Sequence, residues 1–452
     1  MSQPATAKNP LTEKINQLSP ADLQKAVQVF REQLHAAETA YLNSCVHCGL
    51  CAESCHFYLS SGEIQALPAY KLNLVTSVFK KYFSFMGRNA SFLNGARELE
   101  AGMVGEWLDS LFGRCSLCGR CALNCTIGIN VTHLIRCARA ALTAIGVVPA
   151  GLQSTITAAV ATGNNMGISR EDWLETVQWL SEELQREVQD ANASLPLDVK
   201  GANVLYALNP REVKFFPLSL LATAKIFYAA GESWTFSSDF YDVTNYGLYS
   251  GDDATAGLIS GRLVDEMERL GAKILVLGEC GHGFNANRWE APEWLQKKYS
   301  FEVLSILQLI KKYILQNKIS LDPALNLIPV TLHDPCNLVR LGGICEEQRF
   351  ILKRAVSDFK EMTPNREKNY CCSGGGGQLA MTEFAARRLQ AGGLKAKQIT
   401  ASGAKIVVAP CHNCIDQLSE LNREYKLGVE VKTVSETVAN ALVLKKENRE
   451  KL

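Results

Sequence analysis

The sequence predicts an α/β plus α protein, a helical N-terminal part followed by two related α/β modules. Three observations predict it. Thirteen of the sixteen cysteines fall into three ordered groups, two early in the chain and one late. Apolar residues recur at helical spacing up to about residue 190, whereas from about 203 short apolar runs alternate with helical stretches, the pattern of βα units. The second half also repeats itself. GAKILVLGECGHG (Gly271–Gly283) resembles GAKIVVAPCHNC (Gly403–Cys414), and VLYALNPR (Val204–Arg211) resembles VTLHDPC (Val330–Cys336).

Bulk properties narrow the class. A chain of 452 residues suggests two or three domains. With 47% hydrophobic and 21% charged residues it is an ordinary globular composition. A net charge of +1 gives a polyanion nothing to hold, so no nucleic-acid partner is expected. No apolar run approaches the ~20 residues of a membrane helix; the longest, around Phe216–Ala230, is broken by Lys225. The N-terminus has no signal-peptide pattern. Sixteen cysteines in such a chain point to a reduced, cytoplasmic setting, where clustered thiols are metal ligands rather than disulfide staples.

Residues 1–18 read as a loose tail. Ser19-Pro20-Ala21-Asp22 is a helix start, with Ser as N-cap, Pro at the first position and an acid at the third, and the spacing of Leu23, Val27, Phe30 and Leu34 carries a helix to about Leu42. The 59 residues between Cys55 and Cys115 are a mixed insertion. Helices are expected over Val131–Ile145 and from the Ser169/Asp172 capping pair to about Val188. The small, polar stretch Asp190–Ala202 marks a boundary. The expected domains are therefore 1–200, 203–325 and 326–452, with helices at Leu258–Leu270 and Glu383–Thr400.

Two cysteine groups read C-x2-C-x2-C-x3-C: Cys45, Cys48, Cys51, Cys55, and Cys115, Cys118, Cys121, Cys125. A cubane [4Fe–4S] cluster takes three thiolates from one tight loop and a fourth from elsewhere, and in two-cluster ferredoxins the fourth cysteine of each run serves the other cluster. The spacing thus pairs Cys45, Cys48, Cys51 with Cys125, and Cys115, Cys118, Cys121 with Cys55. Structural zinc prefers two separated C-x2-C pairs, not four cysteines in one run. His56 and Thr126 stand where a proline usually follows the fourth cysteine. Gly49 and Gly119 follow the second cysteines and permit a close backbone approach.

The third group is HDPC (His333–Cys336), NYCCSGGGG (Asn369–Gly377) and PCHNC (Pro410–Cys414), spaced C-x34-C-C-x38-C-x2-C. This resembles the cysteine-rich "CCG" domain of the heterodisulfide reductase family. Two ferredoxin motifs followed by two such modules resemble the fused catalytic subunits of that family over nearly the whole chain, and also the iron–sulfur subunits of glycerol-3-phosphate and glycolate oxidases. The resemblance implies one noncubane [4Fe–4S] cluster held by Cys336, Cys371, Cys372, Cys411 and Cys414, beside two cubane clusters. The chain departs from the family in its first module. Arg211 replaces the first cysteine, no pair stands near Thr244–Leu248, and Cys280 alone remains, in GECGHGF. That sequence is similar to the menaquinol oxidoreductase branch of the family.

The expected function is that of an iron–sulfur oxidoreductase subunit. It would move electrons between a membrane quinone-linked partner, such as a b-type cytochrome, and a disulfide or trisulfide of a small thiol or sulfur-carrier protein. Cys280 is then an extra ligand or a substrate-facing thiol, or else a relic, and His282 a proton donor or a loop residue. The alternative is a pure relay linking a flavoprotein to quinone; Gly278–Gly283 lacks the order of a nucleotide fingerprint, so any flavin belongs to a partner. The resemblance places the chain on the inner face of the membrane, attached through a partner subunit. His333 and His412 lie beside ligands; Cys137 and Cys345 read as structural.

Overall fold

The computed structural model describes residues 10–444, so the first half of the expected loose tail, residues 1–9, lies outside the described residues. The part inside is not loose: Pro10–Asn16 is helical, because Leu11 and Ile15 turn inward and are nearly buried. The capping box at Ser19 forms as expected, with the Asp22 carboxylate accepting from the Ser19 N–H and the Asp22 N–H donating to Ser19 Oγ. The helix it starts ends at Glu32, and a second one, Ala36–Ser44, delivers the chain to Cys45. The single helix expected to about Leu42 is thus two, broken at 33–35, where His35 has an extended backbone and begins the second helix.

Contact density divides the chain into two units that do not follow it in consecutive blocks. The first comprises Met1–Ser154, Gly247–Asp252 and Gly376–Ala391; the second comprises Thr155–Tyr246, Asp253–Gly375 and Gly392–Leu452. The first unit is helical. Helices Pro68–Phe83 and Val131–Ala144 pack together, and Val131–Ala144 also packs against Pro20–Glu32. Phe30, Trp107 and Phe112 are fully buried there, with Phe30 edge-on to Trp107 at 5.7 Å.

The second unit holds two four-stranded, all-parallel sheets. Strands β1 (Val204–Ala207), β2 (Trp234–Thr235), β3 (Ile274–Leu277) and β4 (Glu302–Ser305) pair in the order β2-β1-β3-β4. Strands β5 (Val330–Leu332), β6 (Phe359–Lys360), β7 (Ile406–Val408) and β8 (Glu430–Lys432) repeat it as β6-β5-β7-β8. In register, Val204 faces Ile274 and Val330 faces Ile406, so the sequence repeat is a structural one. The strand order reverses between β1 and β3, and again between β5 and β7. Parallel sheets gather ligands at the carboxyl ends of such strands.

The modules join through related helix pairs, Pro217–Ala230 with Val434–Ala441 and Ile306–Leu315 with Glu347–Ala355, over one continuous apolar core. Helix Arg170–Val188, capped by Ser169, adds its stripe of Trp173, Val177, Leu180 and Leu184 to that core. No helix among the described residues is long and apolar enough to cross a membrane.

One buried ion pair fixes the loop after β5. Arg349 Nη1 and Nη2 donate to the two Asp334 oxygens at 2.8 and 2.7 Å, and its Nε donates to Glu361 at 2.7 Å. Both Arg349 and Asp334 side chains are 1% exposed. Desolvation would raise the Asp334 carboxyl, yet the Arg349 guanidinium holds it below its usual value. Removing one partner of such a pair strands the other charge. Arg349→Ala is therefore expected to lower the unfolding free energy by about 3–5 kcal/mol, read from urea denaturation of the anaerobic protein. Loss of under about 1 kcal/mol, the range of an exposed pair, would show that this one does not organise the loop.

Candidate iron–sulfur sites

The first two cysteine runs share one backbone design. The residue before the second cysteine, His47 or Leu117, has φ of 53° or 49°, and the glycine after it, Gly49 or Gly119, has φ of 80° or 75°. Left-handed non-glycine residues are strained, and finding them at matching positions of both runs means the loops are bent to aim three sulfurs inward. His47 is one of these bend positions.

The structure brings the eight cysteines into two hollows of the first unit. Cys45, Cys48, Cys51 and Cys125 line one, with Leu72, Ile129 and Val131. Cys55, Cys115, Cys118 and Cys121 line the other, with His56, Lys71, Arg114 and Ser116. Each set takes three sulfurs from one run and the last from the other. Backbone amides point at sulfur: Leu117 N–H donates to Cys115 Sγ and Ile129 N–H to Cys125 Sγ, both at 3.4 Å. Burial pushes the Cys121 thiol well up, and neighbouring Cys118, Cys115 and Cys55 push it further. Thiols so placed are stabilised as thiolates only by a metal or a cation.

Sequence reasoning missed the cation. Lys71 is 2% exposed, lines the second hollow and donates to the Arg114 carbonyl. Its charge works against the desolvation of Cys55 and Cys121. A signal was present: with Val75, Val78 and Phe79, Lys71 occupies the apolar stripe of its helix, where a lysine has no other reason to be. Arg139 was missed likewise. Fully buried, it donates to the carbonyls of Leu111, Cys115, Tyr249 and Gly376 and so clamps the second loop; desolvation brings it down to about 10.

The third group gathers in the second unit, at the carboxyl ends of β5 and β7. Cys336 and Cys371 stand 3.8 Å apart at sulfur, Cys372 and Cys414 3.4 Å, and all five cysteines are 1–5% exposed. These separations are far beyond a disulfide bond. Two thiolates on one tetrahedral metal with bonds of ~2.3 Å would stand ~3.8 Å apart. The donor set therefore fits an iron–sulfur group. Ser373 N–H donates to Cys371 Sγ at 3.3 Å, and the Gly374 N–H faces Cys372. Behind the pair lies Lys395, fully buried, which donates to Asn369 Oδ1 at 2.6 Å; burial brings it down to about 7. Asn369 in turn donates to the Asp334 carbonyl, tying this lysine to the Cys336 loop.

Cys280 follows β3 at the corresponding edge of the first module. It is 1% exposed, and burial, then the charge of Cys411, pushes its thiol well up. The Asn209 amide donates to its sulfur at 3.6 Å, and His282 Nδ1 lies 3.4 Å away. Burial brings His282 down to about 3, so the ring is neutral and offers a hydrogen bond, not a spare proton. Arg211 pairs with Asp416 on the helix that begins at His412. His412 is fully partnered, with Ser219 Oγ and the Glu279 carbonyl each 3.2 Å from a ring nitrogen. Glu279 caps the helix Val434–Ala441 through the Val434 and Ser435 amides, at 2.9 and 2.7 Å. Cys137 is buried in its helix, and Cys345 is half-buried beside Glu346.

Thiol-lined hollows in a helical unit, together with a twinned parallel-sheet unit that gathers five more thiols, define an iron–sulfur oxidoreductase. Family models agree: residues 41–129 match the 4Fe-4S dicluster domain and residues 330–419 the cysteine-rich domain. The chain is 28% identical to an Hdr-like menaquinol oxidoreductase iron-sulfur subunit of Archaeoglobus profundus, over 92% of this chain and 82% of that one. It is also 28% identical to one of the subunits of the dihydromethanophenazine:CoB–CoM heterodisulfide reductase of Methanosarcina barkeri, over 91% and 97%. An EtfAB:quinone oxidoreductase of Syntrophomonas wolfei is 23% identical over 84% of this chain and 55% of its own length. The chain thus contains a 4Fe-4S dicluster domain and a cysteine-rich domain, and over most of its length it is similar to Hdr-like iron–sulfur subunits.

Removing the Lys71 charge should make electron uptake harder at the neighbouring site alone. Lys71→Gln is expected to shift one of the reduced-state EPR components to a more negative potential by tens of millivolts, as suits a single partly screened charge, and to leave the other in place. Cys118→Ser should remove the shifted component and Cys48→Ser the unshifted one. A Lys71→Gln shift shared by both components would contradict the assignment.

Proposed function

We propose that this subunit carries electrons between a quinone-linked membrane partner and a substrate containing an S–S bond, a disulfide or trisulfide of a small thiol or a sulfur-carrier protein. The substrate would be cleaved at the site of Cys336, Cys371, Cys372, Cys411 and Cys414. The observation that carries the reading is the number of thiols there: five, with Cys280 as a sixth beside Cys411, where a cubane takes four. An iron–sulfur group bound by them supplies single-electron transfer and, at an iron not fully ligated by protein, a place for a substrate sulfur.

The chain's residues support the remaining demands. Cleaving one S–S bond consumes two electrons and two protons and yields two thiols from a disulfide, or a thiol and a persulfide from a trisulfide. Cys45, Cys48, Cys51 and Cys125, and Cys115, Cys118, Cys121 and Cys55, would hold two cubanes that deliver electrons singly. Cys280 would face the substrate, its sulfur held by the Asn209 amide and the neutral His282 ring. Lys395 and the Ser373 and Gly374 amides would moderate the negative charge on the third set. With no spanning helix among the described residues, quinone chemistry would belong to a partner subunit, and this chain would sit at the inner face of the membrane through it. The similarity to an EtfAB:quinone oxidoreductase supports the second reading, a relay from a flavoprotein to quinone without sulfur chemistry.

The two readings differ in one spectrum. Oxidised protein treated with candidate thiols is expected to develop a new paramagnetic signal that Cys372→Ala abolishes. Cys280→Ala is expected to keep its full iron content yet reduce the disulfide at least tenfold more slowly, a barrier higher by about 1.4 kcal/mol. A spectrum indifferent to every thiol, with electron transfer from a reduced flavoprotein intact, would establish the relay.

A further inference from the structure

Among the described residues, His333 is the one histidine around the third site whose ring the protein leaves without a partner. It follows β5 and is 0% exposed, and its backbone N–H donates to the Val408 carbonyl at 2.8 Å, which fixes the residue at the sheet's carboxyl edge. Neither of its ring nitrogens has a hydrogen-bond partner among the described residues. Leaving one buried polar group unsatisfied costs about 1–3 kcal/mol, and here both ring atoms are stranded. The ring is not turned away from the chemistry: a His333 nitrogen and the sulfurs of Cys372 and Cys414 all lie within 4.8 Å of one another. Contrast His412, whose two nitrogens are both occupied by protein.

We propose that a ring nitrogen of His333 is a direct iron ligand of the group held by the C-terminal cysteines, giving that site a mixed nitrogen and sulfur ligand set. The inference rests on the reading that these cysteines hold such a group. Imidazole nitrogens that no protein group occupies, facing two cysteine sulfurs, are disposed as metal ligands are.

The test uses the full chain, purified anaerobically with its clusters, in unlabelled form and with 15N-histidine. Pulsed EPR of the third site is expected to show a strongly coupled nitrogen that changes with the label. It should vanish in His333→Gln while the iron and sulfide contents hold, and persist in His282→Gln and His412→Gln. A coupling that survives His333→Gln, or no histidine nitrogen in wild type, would overturn the proposal. If His333→Gln does not accumulate, an anaerobic density map of the loaded wild-type chain decides: ring nitrogen bonded to iron supports the ligand, and a water or thiol between them refutes it. Iron sufficient only for the two N-terminal sites would sink the reading of the third site itself, and His333 with it.

Discussion

Buried thiols stand 3.4 and 3.8 Å apart at sulfur in this molecule, and the rest of the structure depends on making that crowding tolerable once they ionise. Two unit charges 4 Å apart repel by about 4 kcal/mol even at an effective dielectric of 20. The fold answers with three devices: amides aimed at sulfur from bent loops, buried lysines at two sites, and the metal that the ligand sets fit. Lys71 and Lys395 are on unrelated elements, yet each is a buried cation placed among thiols. Arg139 and the Arg349–Asp334 pair do a different job, holding the loops whose backbones carry the sulfurs.

The doubled α/β unit explains how a cysteine-rich edge and its supporting residues come from one repeated plan. Both sheets have the same order and register. The β5–β7 edge carries the full cysteine set; the β1–β3 edge carries Cys280 alone. Where the repeat would place another cysteine, Arg211 instead pairs with Asp416, and Asn209 turns its amide to Cys280. On the proposed reading the first module would lend the second a sulfur, a histidine and a hydrogen-bond donor. Glu279 binds the two modules, its carboxylate on the amides of Val434 and Ser435 and its carbonyl on the His412 N–H, at 2.9 Å.

Much of this was legible in the sequence because cysteine spacing and strand periodicity are local signals. The α/β plus α class, the internal repeat and the capped helices at Ser19 and Ser169 all follow from residues near in sequence, and the fold shows them. What escaped was non-local. Lys71 and Arg139 serve sulfurs of other elements. The allegiance of helix Arg170–Val188 to the sheet core depends on which apolar surface its Trp173 stripe meets. The short helix at Pro10–Asn16 forms because two apolar side chains find a surface, which a polar tail does not advertise. His333 was read as a neighbour of a ligand; only its empty hydrogen-bond sites set it apart.

Whether the C-terminal cysteines hold a third iron–sulfur group is tested most directly by iron and acid-labile sulfide per chain. The measurement is made on the anaerobic protein and on Cys371→Ser/Cys372→Ser. About twelve irons are expected in the wild type and about eight in the double variant, with the two N-terminal sites intact by reduced-state EPR. Equal iron in the two proteins, or about eight in the wild type, the content of two cubanes alone, would contradict a third group.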